Sequence, residues 1–520
     1  MYNVAKGTEC FFREKGEVEI WDVFNGKKYK LSDVKETADG TIVKMPLGAA
    51  SFQIIVFTSS SQAPQWKNLI PLKSIPLNNE WKCEVVPVLD NRFGDFHYPG
   101  TPEKLRPEIR HYSYILSDVD KIDWETLSAK ARTWNEVTYT YGDEFVCSGA
   151  TYKVLDDAFL AELDSAPVDW KPYTFSRKWG VYGDAGHQGY HGLKMEMNPE
   201  VIRLGAFRRE STTTSRVAES GGRNYYLYTT VKAPYSGMFE VLSGAIKPSR
   251  WFVNGKKQGS TDKEVYLNEG VNQLILCYEG PSVTYFFLRD PKATSSVPNR
   301  LTLPWYKDRS ILPFDPYVGK GRYGWYYFES APGLESFTLG VCGRLQAWVN
   351  GKQAKVHQEG EVANVKVKRP SKGAASVALR IELPYGVKGG AGITSELIQF
   401  TGEGLINTGD WGTTGGLRNY SGGLKYKQDI EISDTDKRIF LRISNLSSSV
   451  ELSVNGRFVG TRVCPEWNFD ITDYVVAGKN TIELTVYNTV ANHYETIPTP
   501  FAGSAPSGLL GEVFLEYSDL

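Results

Sequence analysis

A recurring tripeptide, Val-Asn-Gly, constrains this chain more than any other feature of its sequence. It lies in residues 251–256, 347–352 and 452–457, each time after an apolar segment and before a basic residue. Asn-Gly favours a type I′ turn, because both central residues of that turn need positive φ. Each copy therefore predicts a β-hairpin. The asparagines at 254, 350 and 455 lie 96 and 105 residues apart, about the length of one small β-sandwich.

The similarity between the copies continues beyond the turns. Residues 265–276 and 474–486 both contain a short segment that leads into a Gly/Asn turn, followed by a strand of alternating polarity. A related strand follows the middle copy at 375–383. Alternation with a period of two is typical of a strand that is buried on one face. The repeats therefore predict three jelly-roll-like hairpin pairs, and so three sandwiches.

The composition also favours an all-β fold. The chain has 50 Gly, 26 Pro, 30 Tyr and 13 Trp, which indicates many turns and many pleated, half-buried surfaces. The clearest predicted helix is short and covers 156–163. A chain of 520 residues is too long for one core. We predict a small sandwich at 1–70, a jelly-roll sandwich with long loops at 76–295, a sandwich at 296–400 and a galactose-binding-like jelly roll at 401–520.

Charge and hydropathy exclude several classes of partner. Lys and Arg total 59 against 60 Asp and Glu, so no basic excess predicts a nucleic-acid partner. No apolar segment reaches the ~20 residues of a membrane span. Residues 1–7 lack the pattern of a signal peptide, so we expect no export signal in this chain. The sequence does not specify the cellular compartment. We expect a periplasmic or extracellular location if the chain is part of a longer exported enzyme. The six scattered cysteines predict free thiols.

Several motifs resemble those of a known family. They lie at 467–473, 478–484, 488–492 and 505–511, and further likeness lies at 81–96 and 175–194. Together they resemble the C-terminal accessory β-sandwiches of glycoside hydrolase family 106, the α-L-rhamnosidase-like enzymes, including a glycoside hydrolase family 2-type sugar-binding jelly roll. The resemblance runs from about residue 10 to the last residue. It implies several jelly-roll or galactose-binding-like sandwiches in tandem.

The resemblance also implies a function. In that family the catalytic residues are expected on an N-terminal (β/α)₈ barrel, and this sequence has no alternating strand–helix pattern of that kind. No catalytic residue can therefore be carried over. We expect a non-catalytic, carbohydrate-associated accessory portion of an enzyme that acts on rhamnose-containing polysaccharide, with a catalytic barrel encoded upstream as partner. The alternatives are a self-sufficient glycoside hydrolase with acid and base carboxylates on sandwich loops, and a structural or adhesive sandwich array.

Sugar recognition combines aromatic faces with side chains that bind hydroxyls. Turn-rich segments hold candidates for carbohydrate or domain-interface contact: Trp179, Tyr182, Asp184, His187, His191, Trp411, Arg418, Trp467 and Asn492. By contrast, Trp251 and Trp348 lie inside predicted strands and are predicted as core residues.

The sequence gives no specific indication of a metal or cofactor. Asp184, His187 and His191 have metal-like spacing, but their segment is rich in glycine and is interpreted as a loop without a metal. Either Asp470 or Thr472 is interpreted as the cap of a short helical turn before Gly478. A structural calcium ion stays an alternative, although no specific motif indicates one.

Overall fold

The computed structural model of the chain describes residues 9–24, 26–45, 53–66, 71–88, 104–117, 127–138, 145–173, 195–196, 224–243, 247–279, 283–284, 286–294, 310–318, 323–384, 392–493 and 505–519. Within these ranges the fold is nearly all β, with several separate antiparallel sheets, as the sequence predicts. No helix there is long and apolar enough to cross a bilayer.

The elements before residue 200 are fourteen short strands and two short helices. They are β1 Glu9–Phe12, β2 Glu17–Asp22, β3 Lys27–Lys30, β4 Val34–Thr37, β5 Gly40–Lys44, β6 Ile54–Thr58, β7 Lys73–Pro76, β8 Glu80–Val86, β9 Glu108–Ile109, β10 His111–Ser117, α1 Leu127–Ala131, β11 Asn135–Thr138, β12 Phe145–Cys147, α2 Asp157–Glu162, β13 Lys171–Tyr173 and β14 Met195–Glu196.

The remaining described elements are strands and single 3-10 turns. The strands are β15 Asn224–Ala233, β16 Gly237–Ser243, β17 Arg250–Val253, β18 Lys256–Gln258, β19 Glu264–Leu267, β20 Gly270–Glu279, β21 Val283–Thr284, β22 Phe286–Arg289, β23 Tyr323–Glu329, β24 Leu334–Gly340, β25 Arg344–Val349, β26 Lys352–Gln353, β27 Lys355–Glu359, β28 Val362–Lys366, β29 Ser376–Glu382, β30 Leu397–Thr401, β31 Gly404–Asn407, β32 Gly423–Ile432, β33 Arg438–Ile443, β34 Ser449–Val454, β35 Arg457–Arg462, β36 Asn468–Asp470, β37 Gly478–Tyr487 and β38 Val513–Ser518.

The larger sheets pair into four sandwiches around separate hydrophobic cores. The first sandwich has sheets β1-β5-β4 and β3-β2-β6. The second has β13-β12-β15-β20-β17-β18 and β19-β16-β22. The third has β11-β10-β23-β29-β25-β26 and β27-β28-β24-β30-β9. The fourth has β31-β8-β32-β37-β34-β35 and β36-β33-β38-β7.

The strand pairing crosses the domain boundaries predicted from the sequence. Strands β7 and β8 complete the fourth sandwich, whose other strands follow residue 403. Strands β9, β10 and β11 belong to the third sandwich, and β12 and β13 to the second. Three of the sandwiches are therefore built from segments far apart in the sequence, because antiparallel edges are open to any strand that the chain brings back.

The three Asn-Gly hairpins are confirmed. Asn254, Asn350 and Asn455 have φ of 47°, 47° and 52°, and the turns join β17 to β18, β25 to β26 and β34 to β35. Each asparagine Oδ1 accepts a hydrogen bond from a backbone N–H of the long central strand, at 2.8–2.9 Å.

Two other local predictions are confirmed. Helix α2 begins where the sequence predicts, with the Asp156 carboxylate accepting from the Phe159 N–H as its N-cap. The six cysteines are free.

Candidate functional site

The third sandwich has an outer face whose side chains suit a polar ligand. Strand β25 alternates strictly: Leu345, Ala347 and Val349 point into the core. Arg344, Gln346 and Trp348 therefore point outward, because neighbouring side chains of a strand lie on opposite faces. Trp348 is partly exposed, so its prediction as a core residue is wrong. Trp251 is 1% exposed and confirms the prediction.

The register brings aromatic and cationic side chains together on this face. Arg380 of β29 lies directly opposite both Trp325 of β23 and Gln346 of β25. The Trp325 and Trp348 rings lie 5.3 Å apart with an interplanar angle of 31°. The Arg380 guanidinium lies 4.6 Å from the centroid of Tyr323. The rings therefore hold one another in place before any ligand arrives.

A groove of about 500 Å³ borders this face, where the chain crosses from β25 and β26 to β27. Arg344, Gln346 and Gln353 line it, and Leu345, Ala354 and Val356 add apolar surface. Gln353 pairs directly with Trp348 across the hairpin, so the groove and the aromatic face are continuous.

Gln358 fixes the floor of the groove. Its Oε1 accepts from the Leu345 N–H at 3.1 Å, and its Nε2 donates to the carbonyls of Gly343 at 2.8 Å and Gly360 at 3.1 Å. The side chain thus links strand β27 of one sheet to strand β25 of the other, at the edge of the sandwich. These hydrogen bonds fix the distance between the two strands along the groove.

The groove retains hydrogen-bonding capacity for a ligand. Within the described part of the chain, the side chains of Arg344, Gln346 and Gln353 make no hydrogen bond or ion pair. A guanidinium and two amides offer both donors and acceptors, and the adjoining indole offers an apolar ring face. This combination suits a ligand that carries hydroxyl groups on an apolar ring.

Two of the tryptophans predicted as surface contacts are core residues. Trp411 is 1% exposed and its ring centroid lies 6.2 Å from that of Tyr420. Trp467 is 8% exposed and packs in the core of the same fourth sandwich. Their turn-rich sequence context suggested loops at the surface, but the segments around them fold inward between the sheets.

Asn492 is buried and bonded within the fourth sandwich. Its Oδ1 accepts from the Ala505 N–H at 2.8 Å and its Nδ2 donates to Ser507 Oγ at 3.0 Å. Arg418 reaches the third sandwich instead, with Nη1 3.7 Å from Glu136 Oε1. Arg418 therefore lies at a contact between sandwiches.

The remaining predicted site residues, Trp179, Tyr182, Asp184, His187 and His191, lie outside the described residues. In the described ranges no group of three or more His, Cys, Asp or Glu side chains could hold a metal ion. Asp470 instead accepts from Thr472 and from Arg438 beside a 3-10 turn at Thr472–Tyr474.

The described carboxyls with clear pKa shifts all move in one direction. A hydrogen bond from Lys257 holds the pKa of Asp157 below its usual value, and Lys372 does the same for Glu403. The pKa is lowered in each of Glu17, Glu19, Glu136, Asp157, Glu403, Asp429 and Asp470. A glycosidase acid needs the opposite shift, so these carboxyls fit structural ion pairing.

The fold and the groove define a multi-sandwich, all-β protein with a polar groove and an aromatic face on its third sandwich. The sequence matches no protein-family model and no curated protein.

Among solved structures, the chain is similar to a rhamnosidase from Novosphingobium sp. PP1Y, at 18% identity and a TM-score of 0.21. That match covers 38% of this chain and 23% of the rhamnosidase, so the chain spans less than a quarter of its length. It is also similar to an anti-sigma factor domain-containing protein (10% identity, 57% of this chain and 80% of that one, TM-score 0.15) and to another from Clostridium clariflavum (9%, 79% and 93%, TM-score 0.15). Similarities this low carry no information on activity.

Proposed function

We propose that this chain is a carbohydrate-binding accessory portion of an α-L-rhamnosidase-like glycoside hydrolase, and that the glycan binds on the outer face and groove of the third sandwich. The observation that carries the proposal is the continuity of a partly exposed tryptophan, Trp348, with three side chains that line the groove, Arg344, Gln346 and Gln353. The sequence resemblance supports the enzyme class.

Ring stacking supplies the first part of the proposed binding. A pyranose has an apolar C–H face that packs against an indole, and burial of that contact is favourable by about 25 cal/mol per Å². Trp325 lies behind Trp348 at 5.3 Å and limits its rotation. A ring that is already held loses little entropy when the sugar binds.

Hydrogen bonds supply the second part. Gln346 lies one residue from the groove's apolar Leu345, and Gln353 lies beside Trp348. Sugar hydroxyls both donate and accept, as amides do. Two amides beside one ring face give a fixed orientation to the hydroxyls of the stacked sugar.

The sequence resemblance supports the accessory role, because catalysis in that family is expected on a separate barrel, which we propose is encoded upstream. In this proposal the chain holds polysaccharide near that barrel. A rhamnose-containing polysaccharide is the proposed substrate of the whole enzyme.

The test is binding of the full chain to glycans by affinity electrophoresis and calorimetry, with rhamnose-containing polysaccharides in the panel. Trp348→Ala should weaken the observed binding about tenfold, equivalent to about 1.4 kcal/mol. Tyr266→Ala is the matched control, because Tyr266 is 56% exposed on the second sandwich. Absence of binding by the native chain, or equal losses in both variants, would refute the proposed site.

A further inference from the structure

Arg344 is the one cation among the groove-lining residues named above, and its guanidinium has no counter-ion among the described residues. It is exposed at the start of β25. The register places Glu382 of β29 directly opposite Arg344. No ion pair joins the two side chains, so the guanidinium is left facing the groove.

The paired positions around Arg344 hold two guanidinium groups and one carboxylate, so their net charge is positive. Arg380 follows on the same face, opposite Gln346, while Glu382 is the carboxylate that the register places beside them. The carboxylate thus faces two guanidinium groups. An Arg next to neutral amides is well suited to bind a carboxylate through two parallel hydrogen bonds.

We infer that the groove selects a sugar that carries a carboxylate, a uronate residue of an oligosaccharide, and that Arg344 binds that carboxylate while the ring packs toward Trp348. This inference rests on the proposed function, and it adds the charge of the ligand. Gln346 and Gln353 bind the neighbouring hydroxyls, and Gln358 positions the groove without contacting the sugar, because its amide is already occupied.

The probe is a tetragalacturonate, and its fully methyl-esterified form is the matched neutral ligand, since esterification removes the charge and keeps the rings. The native full chain should bind the acid form about tenfold more tightly than the ester. Sodium chloride should weaken the binding of the acid form only, because salt screens the solvent-exposed ion pair between Arg344 and the carboxylate. A sulfated oligosaccharide of equal length separates carboxylate recognition from general anion binding.

Three variants complete the test. Arg344→Ala should lower affinity for the acid about tenfold and affinity for the ester much less, because the ester offers the guanidinium hydroxyl and carbonyl groups but no charge. Arg344→Lys should recover only part of the loss, because a lysine cannot form the two parallel bonds. Glu382→Gln should strengthen binding of the acid two- to threefold, because it removes the competing carboxylate.

The outcomes distinguish the two proposals. Binding of neutral glycans that depends on Trp348, with no preference for the acid, overturns the uronate inference and keeps the proposed function. Equal effects of Arg344→Ala on acid and ester, or tighter binding of the sulfated probe, also overturn it. Failure of the native chain to bind any glycan overturns both.

Discussion

The Arg110 guanidinium donates from Nε and Nη2 to a single oxygen, Oε2 of Glu108, at 3.1 and 2.7 Å, with both side chains buried. The same guanidinium donates from Nη1 to the carbonyl of His493 at 2.6 Å. Arg110 follows β9 of the third sandwich, whereas His493 belongs to the fourth. One buried ion pair therefore lies at the junction of two sandwiches.

Arg110→Met should destabilise this junction by about 3–5 kcal/mol, because removing one partner leaves a buried carboxylate without its main counter-charge. The double variant Glu108→Gln/Arg110→Met should lose less, since it buries no charge. Hydrogen exchange of peptides covering β9 and β30 measures both. A double variant less stable than the single one would contradict this account.

Gly416→Ala should disrupt the same junction. A Cβ at this glycine would lie 1.8 Å from the backbone nitrogen of Ala331, and Gln399 bridges the same backbones by accepting from the Ala331 N–H and donating to the Gly416 carbonyl. Backbone must move, so we expect a loss of roughly 3 kcal/mol or more. Gly373→Ala is the control, because open space surrounds that position. Similar melting curves for the two variants would be inconsistent with the close approach.

Asn480→Ala should destabilise the fourth sandwich by about 2–4 kcal/mol. The buried amide accepts from the Val476 N–H and donates to the carbonyls of Val476 and Gly478, and the variant leaves these groups without partners. Urea unfolding followed by tryptophan fluorescence measures the loss. Asn364→Ala, which removes one exposed hydrogen bond with Thr338, should change stability by less than about 1 kcal/mol. Equal losses would contradict the role of the buried amide.

Asp470 should make stability depend on pH. Burial raises its pKa, but hydrogen bonds from Thr472 and Arg438 outweigh burial, so the pKa is lowered. A lowered folded-state pKa stabilises the fold above the unfolded value of about 3.9, and that stability disappears as the pH falls through the folded pKa. Asp470→Asn should cost about 1 kcal/mol at pH 7. The difference from the native chain should start to shrink below about pH 4 and vanish once the pH is below the lowered folded pKa. A difference that stays constant to pH 2 would contradict this assignment.

Local chemistry explains which parts of the fold could be predicted from the sequence. The hairpins at Asn254, Asn350 and Asn455 and the cap at Asp156 depend on residues a few positions apart, so short patterns are sufficient to predict them. Strands β7 to β10 each pair with a partner hundreds of residues away, and nothing within these segments specifies those partners.

The groove was missed for a related reason. Trp348 lies inside a strand, and a tryptophan in a strand usually packs in the core. The alternation along β25 could have indicated this. Trp348 lies on the same face of the strand as Arg344 and Gln346. The apolar residues Leu345, Ala347 and Val349 lie on the opposite face. Trp411 and Trp467 show the reverse, since turn-rich surroundings suggested a surface position where the chain folds inward.

The pairing of β7 with β38 has a consequence for synthesis. Lys73 pairs with Tyr517, so its partner leaves the ribosome 444 residues later (517 − 73). At about 5–20 residues per second this delay is roughly 20–90 s. Throughout that interval the edge of β7 that pairs with β38 stays unsatisfied, whereas β8 meets its partners β31 and β32 earlier. Of the four sandwiches, the fourth is therefore the last to close.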